Sequence, residues 1–332
     1  MGFEENEISK NANGGTEIAK RLLAARLPED LLSNFQIISS RIRDLDKDKI
    51  RVLFLHDLPE DPESKQLGDV NYRSKFHKIV YISDWQYNQY RTVLGVPYDM
   101  SNAVIETGII PAVIEKEKPR DKIRICYTST PHRGLNILVP VFKNLYEKYP
   151  NIHLDVFSSF KLYGWEDADA QFESLFNEIR NHPGMTYHGA VPNQEVQEYL
   201  KTAHIFGYPC TWIETSCRSM IEAMSAKLAC VHPNRGALSA TSGGLNYMYQ
   251  GDDDPQKHAG LFHQALEQAI IDVQENKQTL QDHLTFAKIY ADARFNIDGV
   301  TQRWEAMLRG LLHQYPTVES RAPKSEMFVY RT

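Results

Sequence analysis

Short apolar runs alternate with longer amphipathic stretches along the whole chain. The short runs predict strands, and the stretches between them, where apolar residues recur every three or four positions, predict helices. The predicted strands of a first sheet are 35–38, 51–55, 78–82 and 103–105, and those of a second are 122–127, 153–157, 185–188, 205–208 and 228–231. Regular alternation of strands and helices favours the α/β class with parallel sheets.

A charged stretch with a proline, Glu115–Asp121, separates the two groups of strands and is interpreted as an interdomain linker. The chain closes on three helical patterns, 258–275, 280–293 and 299–313, with a break at 294–296. We therefore predict a first domain over 1–116, a second over 117–293 and a C-terminal segment over 294–332.

Composition and charge narrow the class of protein. A chain of 332 residues with 42% hydrophobic content can form two ordinary cores. The net charge of −6 does not favour a nucleic-acid partner. The four cysteines show neither zinc-site spacing nor a disulfide framework, so we expect reduced thiols in a cytoplasmic protein. No apolar run reaches transmembrane length, and the first residues do not resemble a signal peptide.

Two glutamates, Glu214 and Glu222, stand eight residues apart between an apolar run and an alanine-rich helical pattern. Thr215 and Ser216 are suited to cap that helix, which would place Glu214 just before it and Glu222 about two turns inside it. The first-turn amides, including that of Cys217, are then expected to face an anion. Because carboxylates accept hydrogen bonds from vicinal hydroxyls, this layout suits a sugar, a diphosphate and a ribose in a row.

The pair resembles the Glu-x7-Glu motif of retaining glycosyltransferases of the GT-B type, family 4 (glycosyl transferases group 1) in particular. The resemblance extends through the helix Ala223–Ala226, the run 228–231 and the glycine loop Asn234–Leu238. It implies two Rossmann-like domains facing a cleft, the first (1–116) on the acceptor side and the second (117–293) binding the nucleotide-sugar donor. It also implies that the C-terminal helix and tail (294–332) cross back and pack on the first domain. It also implies that Glu214 orients the transferred sugar and that Glu222 binds the ribose.

A second motif, Thr128–Leu135, follows a predicted strand and precedes a predicted helix, where doubly wound sheets bind ligands. Arg133-Gly134 resembles the Lys-Gly element with which family 4 enzymes hold the donor diphosphate, and arginine suits a bidentate phosphate contact. Thr128-Ser129 stands where the family carries Gly-Arg, so Arg218 is expected to supply the missing cation. The predicted phosphate-site residues are Ser129, Thr130, His132, Arg133 and Arg218.

The first domain contributes two weaker motifs. Gly14 and Gly15, followed by Thr16, precede a predicted helix and would allow close approach of a ligand to the backbone. The polar residues 1–12 carry no clear strand, so this domain is expected to be small, with a truncated first strand. His56 ends a predicted strand and resembles the cleft histidine of some family 4 enzymes, which donates to a sugar hydroxyl or to the departing phosphate.

Three segments match the Asp-x-Asp pattern of metal-dependent glycosyltransferases: 44–46, 167–169 and 252–254. They fall in polar stretches and not at predicted strand ends, so solvated loop acids are expected there. We therefore predict no catalytic metal and no cofactor.

The sequence thus predicts a metal-independent retaining glycosyltransferase. The donor would be a UDP- or GDP-linked sugar, and the acceptor a hydroxyl of a glycan, a lipid-linked molecule or another compound. The resemblance implies front-face attack, in which the leaving diphosphate takes the acceptor's proton. Peripheral membrane contact is left open, and no nucleic-acid partner is expected. Two alternatives remain: a nucleotide-sugar epimerase of similar architecture and a non-catalytic module that binds sugar nucleotides.

Overall fold

The computed structural model describes residue 3 and residues 14–41 and 44–322. The expected truncation of the first strand concerns residues that lie almost entirely outside this part. The described residues form two compact units. One comprises residues 3, 15–41, 44–108 and 297–322, and the other comprises Gly14 and 109–296.

Each unit has one parallel sheet. The first contains β1 (Phe35–Ser39), β2 (Ile50–Leu55), β3 (Lys78–Tyr81) and β4 (Asn102–Val104) in that order. The strands of the second are β5 (Ile123–Tyr127), β6 (Ile152–Val156), β7 (Met185–Tyr187), β8 (Ile205–Gly207), β9 (Ala229–Pro233) and β10 (Tyr247–Tyr249). Their spatial order is β10-β9-β8-β5-β6-β7, and all pairs are parallel.

The α/β class with parallel sheets is therefore confirmed. The strand β10 is absent from the sequence prediction, because three residues at a sheet edge are too short to show a pattern. The helices are α1 (Gly15–Ala24), α2 (Glu29–Leu32), α3 (Val70–Arg73), α4 (Asp84–Leu94), α5 (Leu135–Lys148), α6 (Glu173–Asn181), α7 (Asn193–Leu200), α8 (Arg218–Ser225), α9 (Leu238–Ser242), α10 (Pro255–Glu275), α11 (Gln278–Phe295), α12 (Ile297–Gln314) and α13 (Val318–Arg321).

The helix α12 packs within the first unit. Its Trp304 is fully buried, with its ring centroid 4.8 Å from that of Phe54 on β2 and 6.5 Å from that of Phe3. Aromatic rings at these distances bury much apolar area and favour tilted packing. The C-terminal segment thus completes the core of the first unit. None of the helices in the described ranges is long and apolar enough to cross a membrane.

The strand order of the second unit decides where its chemistry can lie. The strands β8, β5 and β6 are neighbours and run in the same direction. The segments that follow them, 208–217, 128–134 and 157–172, therefore leave the sheet at one edge. This carboxyl edge is where open α/β sheets bind ligands.

Candidate functional site

Two glycines bring these segments together. Gly134 has a φ of 110°, and a Cβ placed on it would lie 2.1 Å from the carbonyl oxygen of Pro209. Gly236 has a φ of 59°, and a Cβ there would lie 2.5 Å from the carbonyl oxygen of Glu214. Only glycine adopts such backbone conformations easily and leaves room for this approach. The glycines of Arg133-Gly134 and of the loop Asn234–Leu238 are thus needed for these two close backbone contacts.

We expect Gly134→Ala to destabilise the second unit by about 1–3 kcal/mol, because the added methyl group must displace backbone. The matched control is Gly260→Ala on α10, where nothing lies within 4 Å of the added carbon. That change should stabilise by up to about 1 kcal/mol through helix propensity. Urea unfolding of both variants measures the difference. A Gly134→Ala protein as stable as the wild type would contradict the close approach.

Glu214 is buried and accepts several hydrogen bonds on one oxygen. Its Oε1 lies 2.6 Å from Nη1 of Arg133 and 2.5 Å from the hydroxyl of Tyr208, and the thiol of Cys210 donates at 3.9 Å. Burial by itself lowers the pKa of Arg133, but the Glu214 carboxylate raises it well above its usual value. Arg133 therefore stays charged. This pair joins the segment after β5 to the segment after β8.

The helix α8 begins later than predicted. Its first residue is Arg218 and its N-cap is Cys217, without a side-chain capping bond. The prediction of Thr215 and Ser216 as capping residues is therefore wrong. Glu222 is the fifth residue of α8, at the start of its second turn, and not two turns inside the helix. The backbone N–H of Ala237 donates to the carbonyl of Glu214 at 2.7 Å, which holds this segment outside the helix.

Glu222 is also buried, and three side chains contact it. Nε of Arg218 lies 3.0 Å from its Oε1. On α7, the amide of Gln197 donates to Oε1 at 3.0 Å and that of Asn193 donates to Oε2 at 3.3 Å. The structure therefore places Arg218 beside the second motif glutamate. The hydroxyl of Ser219 donates to the carbonyl of Thr128 at 2.7 Å, which ties the start of α8 to the segment after β5.

Several buried polar atoms at this edge have no hydrogen-bond partner among the residues that the structure describes. They are Thr128 Oγ1, Thr130 Oγ1, His132 Nδ1, Arg133 Nε and Ser158 Oγ. Folded proteins rarely leave such atoms unsatisfied, so these atoms make this edge of the sheet a candidate site for a polar ligand. Burial, with the Arg133 charge, lowers the pKa of His132 to about 4, so its ring is neutral at physiological pH. Ser129 lies nearby, with its hydroxyl 3.5 Å from that of Tyr208.

The first-unit candidates lie on α1 and after β2. Gly15 is the first residue of α1, so it lies in the helix instead of before it, and an added Cβ there would meet nothing within 4 Å. Thr16 on α1 is half-buried, and Gly14, which groups with the second unit, is buried. Burial, assisted by Lys20 on α1, lowers the pKa of His56 to about 3. His56 is therefore a neutral imidazole at physiological pH.

One of the Asp-x-Asp acids departs from expectation. Asp169 is buried and accepts hydrogen bonds from the backbone N–H of Phe160 at 2.7 Å and from the hydroxyl of Ser159 at 2.5 Å. The prediction of a solvated acid is wrong here, because the loop folds back over it. Asp254 caps α10 by accepting from two backbone N–H groups. Within the described ranges, no cluster of three or more His, Cys, Asp or Glu side chains could hold a metal ion.

Sequence reasoning missed the residues that support the two glutamates. The sequence predicts Tyr208 only as part of the strand 205–208 and Cys210 only as one of four reduced thiols. Asn193 and Gln197 stand four positions apart on α7, a spacing that puts both on one helix face. That spacing was the available signal, but nothing local shows that the face meets Glu222.

Comparisons with known proteins bear on the family and on the fold. The family model described as glycosyl transferases group 1 matches residues 111–243. That segment contains Arg133, Glu214, Arg218 and Glu222. The sequence matches no curated protein.

Solved structures show the same fold at low sequence identity. A glycosyltransferase from Rickettsia africae has a TM-score of 0.68 at 14% identity, over 93% of this chain and 84% of that one. HepE of Anabaena, solved in complex with UDP-glucose, has a TM-score of 0.60 at 14% identity, over 88% and 82%. Sucrose-phosphate synthase from Thermosynechococcus elongatus has a TM-score of 0.62 at 15% identity, over 90% and 78%. The resemblance to glycosyl transferases group 1 is therefore confirmed over residues 111–243, and the chain has the GT-B type of fold.

Proposed function

We propose that this protein is a retaining, metal-independent glycosyltransferase, similar to family 4, that moves a sugar from a UDP- or GDP-linked donor to a hydroxyl acceptor. The observation that carries the proposal is the charged pair Arg133–Glu214, which is set among unsatisfied buried polar atoms at the carboxyl edge of the sheet. It lies in the segment that matches the glycosyl transferases group 1 model. The UDP-glucose complex of the Anabaena relative supports a nucleotide-sugar donor.

Arg133 has the geometry to stabilise a departing diphosphate. Its Nη1 contacts Glu214, while its Nε is buried without a partner among the described residues. The guanidinium can therefore keep its carboxylate contact and donate Nε–H to a phosphate oxygen. The leaving diphosphate would take the acceptor's proton as the bond to the anomeric carbon forms. A preorganised charge of this kind supplies much of the rate enhancement in such reactions.

The two glutamates would hold the sugars on either side. Glu214 has one oxygen engaged by Arg133 and Tyr208, and we propose that the carboxylate orients the transferred sugar. Glu222 would accept hydrogen bonds from the ribose hydroxyls. Arg218 is proposed as the second diphosphate cation, since an arginine fork can hold a phosphate and a carboxylate together. His56, as a neutral imidazole, is proposed to donate to a sugar hydroxyl or to the departing phosphate.

A thermal-shift panel of UDP, GDP, ADP and their glucose conjugates tests the proposal. A ligand at a hundred times its dissociation constant should stabilise the protein by about 2.7 kcal/mol. The best donor is then incubated without acceptor. Slow release of free nucleotide supports a transferase, interconversion of the sugar indicates an epimerase, and binding without turnover indicates a non-catalytic module. Failure to bind any nucleotide in the panel would contradict the proposed function.

Glu222→Gln should weaken nucleotide binding by about 1.5–3 kcal/mol, because the amide loses the charge-assisted bonds to the ribose. Glutamine is preferred to alanine here because it fills the same space beside Arg218. The control is Glu267→Gln on α10, which removes a carboxylate that pairs with Lys148 at 2.6 Å. Isothermal titration of the nucleotide measures both variants. An unchanged nucleotide affinity in Glu222→Gln would show that Glu222 does not bind the ribose.

Activity should survive an excess of EDTA, because the phosphate charge is met by arginine side chains and backbone amides. The assay is donor turnover measured before and after chelation. Loss of activity on chelation, with recovery on adding Mn²⁺ or Mg²⁺, would show a metal-dependent enzyme instead. The expectations of a cytoplasmic location and of no nucleic-acid partner stay predictions.

A further inference from the structure

A cavity of about 470 Å³ lies in the second unit at the edge of the sheet opposite to the carboxyl edge. The start of β10 and the turn that joins α10 to α11 form its walls. Because β10 runs parallel to β9, its first residue, Tyr247, lies at the amino edge of the sheet. We call this space the amino-edge cavity. Its volume is within the range of small-molecule sites, ~300–1,000 Å³, and it is separate from the segments that carry Arg133 and Glu214.

The side-chain amide of Asn246 is a hydrogen-bond donor in the wall of this cavity. Its Nδ2 is buried and has no partner among the residues that the structure describes. The loop is fixed around it, since the carbonyl of Leu245 accepts from Nε2 of His283 and the carbonyl of Asn246 accepts from the N–H of Met248, both at 3.0 Å. A buried donor without an acceptor is costly, so an occupant of the cavity should supply an acceptor atom.

The carboxylate of Asp272, at the end of α10, supplies acceptors to the same cavity. Its Oδ2 accepts from the hydroxyl of Tyr247 at 2.8 Å, and its Oδ1 accepts from the amide of Gln268 at 2.9 Å. Burial, assisted by this carboxylate, raises the pKa of Tyr247, so the phenol keeps its proton and donates. A carboxylate has about four acceptor positions, so Asp272 can accept further hydrogen bonds from an occupant.

The charges around the cavity disfavour an anionic occupant. Asp272 is itself negative, and Lys277, which is exposed at the mouth, is paired with Glu275 at 2.5 Å. A phosphate would have to approach the carboxylate of Asp272 and compete with Glu275 for Lys277, and like charges placed together are costly. A neutral ligand avoids both costs.

We propose that the amino-edge cavity is a binding site for a neutral saccharide, separate from the proposed reaction site. One hydroxyl can donate to Asp272 and accept from Asn246, and a pyranose ring carries several hydroxyls side by side. The C–H face of the ring would lie against Tyr247 and against Leu280, which is buried. Such a site would hold a glycan at a point remote from Arg133. It goes beyond the proposed function and does not depend on it.

Saturation-transfer NMR with the full chain tests this site. The neutral probes are the methyl glycosides of glucose, galactose, mannose and N-acetylglucosamine, and the charged probes are glucose 6-phosphate and glucosamine. Each is measured with and without saturating UDP, for wild type, Asn246→Ala and Asp272→Asn. The matched control is Asp282→Asn on α11. Asp282 accepts from Gln278 at 2.8 Å, four residues away, as Asp272 does from Gln268, but it does not line the cavity.

We expect the wild type to bind at least one neutral saccharide with a Kd on the order of millimolar, with or without UDP. Asn246→Ala and Asp272→Asn should each weaken this binding roughly fivefold or more, the scale of losing one hydrogen bond, and Asp282→Asn should not. Asn246→Ala should keep the wild-type melting temperature, because its amide has no partner among the described residues to lose. Donor hydrolysis should be the same in all four proteins.

Displacement of the saccharide by UDP would place it at the carboxyl edge and overturn the proposal. Unchanged saccharide affinity in both cavity variants would overturn it as well, as would binding of only the charged probes. A wild-type protein that binds none of the probes would leave a cavity filled by water alone. A lower melting temperature of Asn246→Ala would make its amide a structural group and remove the main support for the site. Donor hydrolysis by the wild type reports separately on the proposed function, because saccharide binding at this site needs no turnover.

Discussion

Replacing Arg133 with alanine is expected to lower turnover by about 10²-fold or more. Arg133 is the cation that the structure sets against Glu214, and its buried Nε has no partner among the described residues. Loss of one preorganised charge-stabilising group typically costs on this scale in kcat. The measurement is kcat at saturating donor, with the melting temperature checked so that only folded enzyme is compared.

Arg133→Lys is the matched control for this prediction. Lysine keeps the positive charge but cannot hold a carboxylate and a phosphate with one planar fork, so a milder loss is expected. Tyr208→Phe tests the positioning of Glu214 without changing the charge of Arg133, because it removes only the hydroxyl that donates to Glu214 at 2.5 Å. If Arg133→Ala turned over as fast as the wild type, Arg133 would be a structural partner of Glu214 and the diphosphate assignment would be wrong.

Replacing Arg218 with alanine is expected to have two large effects. Turnover should fall by about 10²-fold if Arg218 is the second diphosphate cation. The second unit should also lose about 3–5 kcal/mol of stability, because Glu222 would keep a buried charge without its 3.0 Å partner. Urea unfolding and steady-state kinetics, both at a temperature well below the melting point, measure the two effects separately.

The division between kcat and KM decides what Arg218 does. A phosphate cation acts on the transition state, so its loss lowers kcat. A residue that only positions Glu222 affects the ribose contact, so its loss raises the KM for the donor and leaves kcat intact. The double variant Arg218→Met, Glu222→Gln removes both charges and should recover most of the lost stability. An intact kcat in Arg218→Ala would mean that no second cation replaces the missing Gly-Arg element.

Much of the fold could be predicted because its signals are local. The alternation of apolar and amphipathic segments depends only on neighbouring residues, and it predicted nine of the ten described strands. The tenth, β10, has three residues at a sheet edge, where burial imposes little pattern. The helix α7 was missed as well, although it carries Asn193 and Gln197, two of the three side chains that contact Glu222.

The start of α8 shows how a distant contact overrides local preference. Thr215 and Ser216 are good capping residues, and the sequence alone favours a helix that begins there. The hydrogen bond from Ala237 and the close approach of Gly236 instead hold Glu214 outside the helix, which begins at Arg218. Asp169 also differs from its prediction because of contacts outside its own segment. It is buried because the loop after β6 folds back and the N–H of Phe160 donates to its carboxylate.

The sequence by itself determined the α/β class, the parallel sheets and the positions of Glu214 and Arg133 in loops between a strand and a helix. These follow from patterns within a few residues, because apolar residues recur at regular spacings along a buried strand or helix. Only the tertiary structure decided that Arg133 meets Glu214, 81 positions away, and that Arg218 meets Glu222. Such pairings depend on which strands become neighbours and on where glycines let backbones approach, and both are settled only when the whole sheet has formed.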